Sequence, residues 1–316
     1  MILLGSSDIG VLQYLSRLKT INNVEKKWIT KKRYYSFLAS NKLSITKNYK
    51  NLKNIKLIIT GTALGNSLDK KMVLFGKRKK IFTIQIIEHW TNFKERFQYK
   101  NKKLYADIIF VNDKLAYNLA RKFDIPKNKL KIMGNVEYEY YINNKKLKKI
   151  KKKNSKSILF ISEKISGSTI KITNEYKLDE FETIRKIVKE LPKKYELIIK
   201  IHPEENLKNY KILSKYKNVK IIKNMKFADM IKKPKKIIGI KSALLLKLSI
   251  FRNDIISFRP KKDRPFIGDK LGTTKLVRKN LRENIEKKIN NVHRFDKKFK
   301  GSSKKIKLYI QKILKK

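Results

Sequence analysis

The chain has 316 residues, with 81 Lys and Arg against 26 Asp and Glu and a formal net charge of +55. At 41% hydrophobic composition it can build cores, so the charge does not signal disorder, and the length suits about two domains. It contains no run of roughly 18 uncharged apolar residues, which excludes an ordinary transmembrane helix, and having no cysteine it has no disulfide, zinc-thiolate site or thiol nucleophile.

Met1 to Leu4 is a short apolar run with no basic residues ahead of it, which reads as a strand rather than a signal peptide. Gly5-Ser6-Ser7-Asp8-Ile9-Gly10 and an amphipathic stretch to about Leu18 follow, giving the strand, turn and helix of a βα unit, whose helix N-terminus is suited to an anion. The turn is not GxGxxG, so it carries little dinucleotide signal. Further apolar runs at Leu57–Thr60, Ile81–Ile87, Ile108–Asn112 and Lys131–Met133 predict strands of a buried parallel sheet. Residues 145–156, KKLKKIKKKNSK, form a basic run that predicts a solvated interdomain linker.

The pattern then restarts. Ser157–Ile161 predicts a strand, and Asp179 to Leu191 a helix with Asp179 as N-cap, ended by Pro192. Strands follow at Tyr195–Ile201, Val219–Ile222, Ile237–Ile240 and Asp254–Phe258, with helices near Asn206 and over Leu244–Phe251. The fold class expected is α/β, with two Rossmann-like doubly wound parallel-sheet domains facing a cleft. Residues 1–144 form the first domain, 157–300 the second, and 301–316 a basic C-terminal helix. That helix is expected to pack back on the first domain, with membrane-surface docking as the alternative.

Nucleic-acid binding is the obvious reading of the charge. Only 12 of the 81 cations are Arg, however, and the other 69 are Lys. Arg is the better residue for bidentate phosphate and base recognition. The abundance of Lys, Ile, Asn and Tyr is what an A/T-rich coding sequence supplies whatever the function, so nucleic acid is not the expected partner.

Chemistry is sought at the strand ends, where doubly wound folds bind ligands. Lys200-Ile201-His202-Pro203 places a histidine directly after a strand, suited to a phosphate hydrogen bond or proton transfer, or simply to capping the strand. Gly239-Ile240-Lys241-Ser242-Ala243 is a strand, small-residue turn and helix that aims Ser242 at an anion, unless Ser242 is an ordinary N-cap. Glu88-His89-Trp90 follows a strand of the first domain, and Gly272-Thr273-Thr274 is a further candidate phosphate-facing turn.

The order of these motifs resembles bacterial surface-polysaccharide glycosyltransferases of the GT-B type that carry an HP motif, a group including sialyltransferase-like, Kdo-transferase-like and CDP-glycerol glycerophosphotransferase enzymes. It also resembles the nucleotide-sugar 2-epimerases that share the fold. Lys200-Ile201-His202-Pro203 is similar to their K-x-H-P stretch, and Gly239 to Pro260 to their G-x-x-S-x-x-L-x-E-A segment. Gly61-Thr62 with EHWTNFKERF resembles a GT…DHW-x-N-x-x-x-RF pattern, and Gly134-Asn135 a G-N-P turn. Lys247 stands where the family has a ribose-binding Glu, Arg252-Asn253-Asp254 replaces G-x-P, Val136 replaces a proline, and Glu88 stands for Asp.

The resemblance implies an enzyme that transfers a sugar or glycerophosphate from a nucleotide-activated donor to a glycan or lipid-linked acceptor. Glu88 would act as base, with His202 also catalytic. Lys200, His202, Pro203, Ser242, Ala243 and Thr273 would bind the donor, and Gly61, Thr62, His89 and Trp90 would face the acceptor. Neither metal nor cofactor is expected, and the place of work is cytoplasmic, with peripheral contact to an anionic inner membrane. The alternatives are a nucleotide-sugar 2-epimerase, which needs more acid/base groups than the strand ends offer, and a non-catalytic protein binding anionic polymers or membranes.

Overall fold

The computed structural model describes residues 1–19, 24–165, 179–203, 205–261, 263, 265–291 and 296–315. They form two compact units, residues 1–140 with 297–316, and residues 141–296.

The first unit holds strands β1 (Ile2–Ser6), β2 (Lys26–Thr30), β3 (Leu57–Thr60), β4 (Phe82–Ile87), a small antiparallel hairpin of β5 (Gln98–Tyr99) and β6 (Lys102–Lys103), β7 (Ile108–Val111) and β8 (Leu130–Ile132). Its six-stranded sheet has the order β2-β1-β3-β4-β7-β8 and every pairing in it is parallel. Helices α1 (Ile9–Ser16), α2 (Tyr35–Ser40), α3 (Leu68–Lys79), α4 (Phe93–Phe97) and α5 (Lys114–Lys122) connect the strands, and α6 (Val136–Asn143) follows β8. The second unit has α7 (Lys145–Lys148), β9 (Ser157–Ile161), α8 (Glu180–Glu190), β10 (Glu196–Lys200), β11 (Val219–Ile222), α9 (Phe227–Lys232), β12 (Lys236–Gly239), α10 (Ala243–Leu248), β13 (Ile255–Phe258), α11 (Ile267–Lys270), β14 (Lys275–Val277) and α12 (Leu281–Glu286). Its sheet, β11-β10-β9-β12-β13-β14, is also parallel throughout. The chain ends in α13 (Asp296–Phe299) and α14 (Ser302–Leu314).

The apolar runs become strands because helices cover both faces of a parallel sheet. β1, β3, β9, β12 and β13 are buried along their whole length. The helices start where short polar side chains can accept a free backbone N–H. Asp8 accepts from Gly10, Asp113 from Ala116 and Asp179 from Glu182. In the first unit Ile306 and Ile310 of α14 join Leu12 and Leu15 of α1 in one core. The C-terminal helix is thus a packing element of that unit.

The basic run 145–156 has no buried residue, and part of it is held by local contacts. Residues 145–148 are helical, Lys152 Nζ bonds Asp254 at 2.7 Å, and the Lys153 N–H donates to the Lys232 carbonyl. Local carboxylate and carbonyl partners bind part of the run to the second unit.

Candidate functional site

Each sheet has a topological switch point, where successive crossovers leave a central strand in opposite directions and open a crevice at the carboxyl ends. In the first unit it lies between β1 and β3, and in the second between β9 and β12.

At the first switch point Asp69 of α3 is fully buried and organises the β1–α1 turn. It accepts from Ser6 Oγ at 2.6 Å, from the Ser7 N–H at 2.9 Å and from Ser7 Oγ at 2.5 Å. Gly61 lacks a side chain for the same reason, since a Cβ there would meet Asp69 Oδ1 and Val11. Glu88 follows β4, with its backbone carbonyl held by Asn112 Nδ2 at 2.8 Å. Its carboxylate lies against Gly10 in the first turn of α1, where the positive helix end favours an anion. The anion expected at this helix is therefore the protein's own carboxylate.

His89 Nε2 lies 3.2 Å from Glu88 Oε1, and Asp8, Glu88 and His89 each place a ligand atom within 4.8 Å of the others. Such a set could hold a cation, but positive charge is already present. Arg96 of α4 is buried beside Asp8, Glu88, Asp69 and Glu95, whose charges oppose the downward pull of burial on its pKa. Its Nε donates to the Thr91 carbonyl at 2.9 Å and its Nη1 to the Thr62 carbonyl at 3.2 Å. The Tyr14 hydroxyl is buried near the same carboxylates, and desolvation, then Glu88 and Glu139, push its pKa up.

The four residues expected on the acceptor side thus divide. His89 is half-buried beside Glu88, whereas Gly61 and Thr62 are used in packing and in holding Arg96. Trp90 is buried, with its indole N–H donating to Asp113 at 3.0 Å. That bond satisfies the one polar atom of a core side chain, so Trp90 is structural.

In the second unit His202 follows β10 as expected, and the turn is built by a residue the motif did not single out. Glu205 Oε2 accepts the His202 N–H at 2.6 Å, while its Oε1 accepts Tyr210 Oη at 2.6 Å and Ser162 Oγ at 3.3 Å. Glu204 lies outside the described residues. Pro203 sits in this turn, and Lys200, whose pKa burial lowers, reaches the Ile201 carbonyl at 3.3 Å. Ser242 caps α10, accepting from the Leu244 N–H at 3.3 Å, and Ala243 is that helix's first residue. Thr273 folds onto the Gly268 carbonyl through its N–H and its hydroxyl, so it is internally satisfied and not aimed at a phosphate.

The second switch point carries a charged cluster of which the sequence reading singled out only Arg259, as positive charge for the leaving group. Glu163 after β9 accepts the Lys241 N–H, and the Lys241 ammonium pairs with Asp263. Burial pushes the Glu163 carboxyl up to about 7 against the favourable Lys241 contacts. Arg259 at the end of β13 pairs with Asp269, which also accepts Thr274 Oγ1 at 2.8 Å. Two departures from the family pattern acquire structural roles. Arg252 clamps Asp254 through Nε at 2.8 Å and Nη2 at 2.7 Å and donates to the Ile231 and Pro234 carbonyls. Lys247 lies over the Tyr141 ring at 5.8 Å.

No family model matches the sequence, and no curated protein matches it. Solved structures do. A UDP-GlcNAc 2-epimerase from Methanocaldococcus jannaschii, solved with UDP-GlcNAc and UDP, superposes with a TM-score of 0.66 at 16% identity, covering 98% of both chains. The UDP-GlcNAc 2-epimerase of Neisseria meningitidis bound to UDP-GlcNAc gives 0.65 at 15%, covering 100% of this chain and 99% of that one. The wall teichoic acid polymerase TagF gives 0.51 at 12%, covering 100% and 88%. These identities establish the fold alone, two parallel-sheet α/β domains of the GT-B-like kind. They overturn the expectation of a glycosyltransferase, because 2-epimerases dominate the similar structures and superpose better than the polymerase. The HP-motif transferase family finds no support among them.

Proposed function

We propose that the chain is a nucleotide-sugar epimerase that works by proton transfer at a sugar carbon. The observation that carries this reading is the grouping of Asp8, Glu88 and His89 at a switch point. Inverting a carbon that bears hydrogen needs one group to take the proton from one face and another to return it to the opposite face. Read alone, the strand ends offered one carboxylate; folding sets a second carboxylate and an imidazole beside it.

A ring carbon next to the anomeric centre has no carbonyl to acidify it, so loss of its proton has to accompany departure of the anomeric diphosphate. Glu88 takes the proton, the C–H electron pair forms a double bond to the anomeric carbon, and the diphosphate leaves with the C–O pair. Re-addition, with a proton from Asp8 or His89 to the other face, restores the nucleotide sugar. Arg96 supplies positive charge beside both carboxylates. Lys200, His202 and Ser242 are assigned to the nucleotide's phosphates, and the likeness to proteins solved with UDP-GlcNAc and UDP supports a nucleotide sugar as the substrate class.

Proton NMR in D2O with UDP-GlcNAc and other nucleotide sugars tests this. The expected result is deuterium at the sugar C2 together with the 2-epimer, both abolished by Glu88→Gln. Stabilisation by nucleotides without exchange would make the chain a binding protein, and no response to any nucleotide would remove the reading altogether.

A further inference from the structure

The first unit has a cavity of about 850 Å³ at the end of its sheet opposite the carboxylates. Its walls come from the amino-terminal ends of strands. Lys56 precedes β3, Ile81 and Phe82 open β4, and Ile108 opens β7; the last turns of α3 and α14 close it. The floor is apolar, with Ile81, Phe82, Ile108, Ile313 and Leu314, and Phe82 is 36% exposed. The rim is Lys56, Lys79, Lys80, Lys131 and Lys312, and no acidic residue lines the cavity. All five lysines are exposed, and among the described residues none pairs with a carboxylate.

Helix ends account for part of this rim, because cations gather at the negative ends of helix dipoles. Lys79 and Lys312 fit that account. Lys56 and Lys131 do not, since they sit beside and within strands. An apolar floor inside a ring of uncompensated ammonium groups is complementary to an anion that carries hydrocarbon.

We propose that this cavity docks the first unit on an anionic phospholipid surface, with a lipid phosphate among the lysines and hydrocarbon against Phe82. Two features favour a bilayer over a free soluble anion. The rim is all Lys, whose hydrated point charges suit diffuse headgroup phosphates better than fixed bidentate recognition. On α14 the exposed Leu308 lies among Lys304, Lys305, Lys307 and Lys312, the mixture of apolar and basic residues that a membrane interface accepts. The inference is independent of the epimerase reading, because it uses the opposite end of the sheet and none of the residues assigned there.

A chain of charge +55 will bind anionic vesicles diffusely, so the experiment is matched for charge. The full chain is measured by flotation with vesicles of phosphatidylglycerol and phosphatidylcholine and with phosphatidylcholine alone. The double variant Lys131→Glu/Lys312→Glu is compared with Lys208→Glu/Lys220→Glu, also exposed but in the second unit. Expected is a loss of at least about tenfold in partitioning for the cavity pair and less than about threefold for the other pair. In a second measurement Phe82→Trp is mixed with vesicles whose acyl chains carry bromine, and quenching of its emission is expected. Equal losses for the two pairs, no binding to phosphatidylglycerol, or an unquenched Trp would each overturn the proposal.

Discussion

The carboxylate of Glu88 fills the space that a Cβ on Gly10 would need. Glu88 follows β4 and Gly10 lies in the first turn of α1, and only the sheet order brings them together. Gly10→Ala is therefore expected to push the carboxylate away from Asp8 and His89. A misplacement of this size lowers kcat by about 100-fold, while overpacking costs about 1–3 kcal/mol of stability. Rate and urea midpoint, measured together, separate the two; an unchanged rate would remove Glu88 from the chemistry.

Arg252 is expected to be a stability residue. It is buried, bonds both oxygens of Asp254 and satisfies the carbonyls of Ile231 and Pro234. Arg252→Ala leaves those groups short of donors and is expected to cost about 3–5 kcal/mol in denaturant unfolding. Arg252→Lys should recover only part, since an ammonium lacks the planar fork.

Glu163 predicts a pH dependence of definite sign. Burial raises its pKa from 4.5 to about 7 in the folded chain. Between those values the folded state holds a proton that the unfolded state has lost, so stability falls as pH rises through this window. Glu163→Gln keeps an acceptor for the Lys241 N–H and has nothing to ionise. Relative to that variant, the native chain should lose up to about 1.4 kcal/mol per pH unit. Parallel pH–stability curves for the two proteins would refute the assignment.

Glu205 is expected to hold His202 in place. In Glu205→Gln one acceptor oxygen becomes an amide donor facing the His202 N–H, or the Tyr210 and Ser162 hydroxyls. The expected cost is about 1–3 kcal/mol, with weaker thermal stabilisation by UDP. Tyr210→Phe removes one of these donors and should weaken the effect of UDP less.

Much of the architecture was legible in the sequence, for local reasons. Leu57–Thr60, Ser157–Ile161 and Val219–Ile222 are strands over the residues their apolar runs marked, and Asp179 caps α8. β2 was missed because it opens with Lys26-Lys27. β14 was missed because Lys275 and Leu276 are exposed, leaving only Val277 buried. In the candidate site Glu88 and His202 stood out because each follows an apolar run. Arg96 lay within the quoted EHWTNFKERF, where its charge had no visible partner. Asp8 stood in the sequence only as one residue of the turn after β1; the fold makes it the cap of α1 as well.

By itself the sequence determined two α/β halves, the strands that fill them and which residues stand at strand ends, because apolar runs and capping residues act over a few neighbours. Tertiary structure decided which strand ends meet. Asp8 reaches Glu88 because β1, β3 and β4 are adjacent in the sheet although 80 residues separate the two side chains. The same packing turned Trp90 and Thr273 inward as hydrogen-bonded structural groups, since a buried polar atom takes the nearest partner available. It also set five exposed lysines around an apolar hollow, a juxtaposition of strand starts and helix ends that no short window of sequence contains.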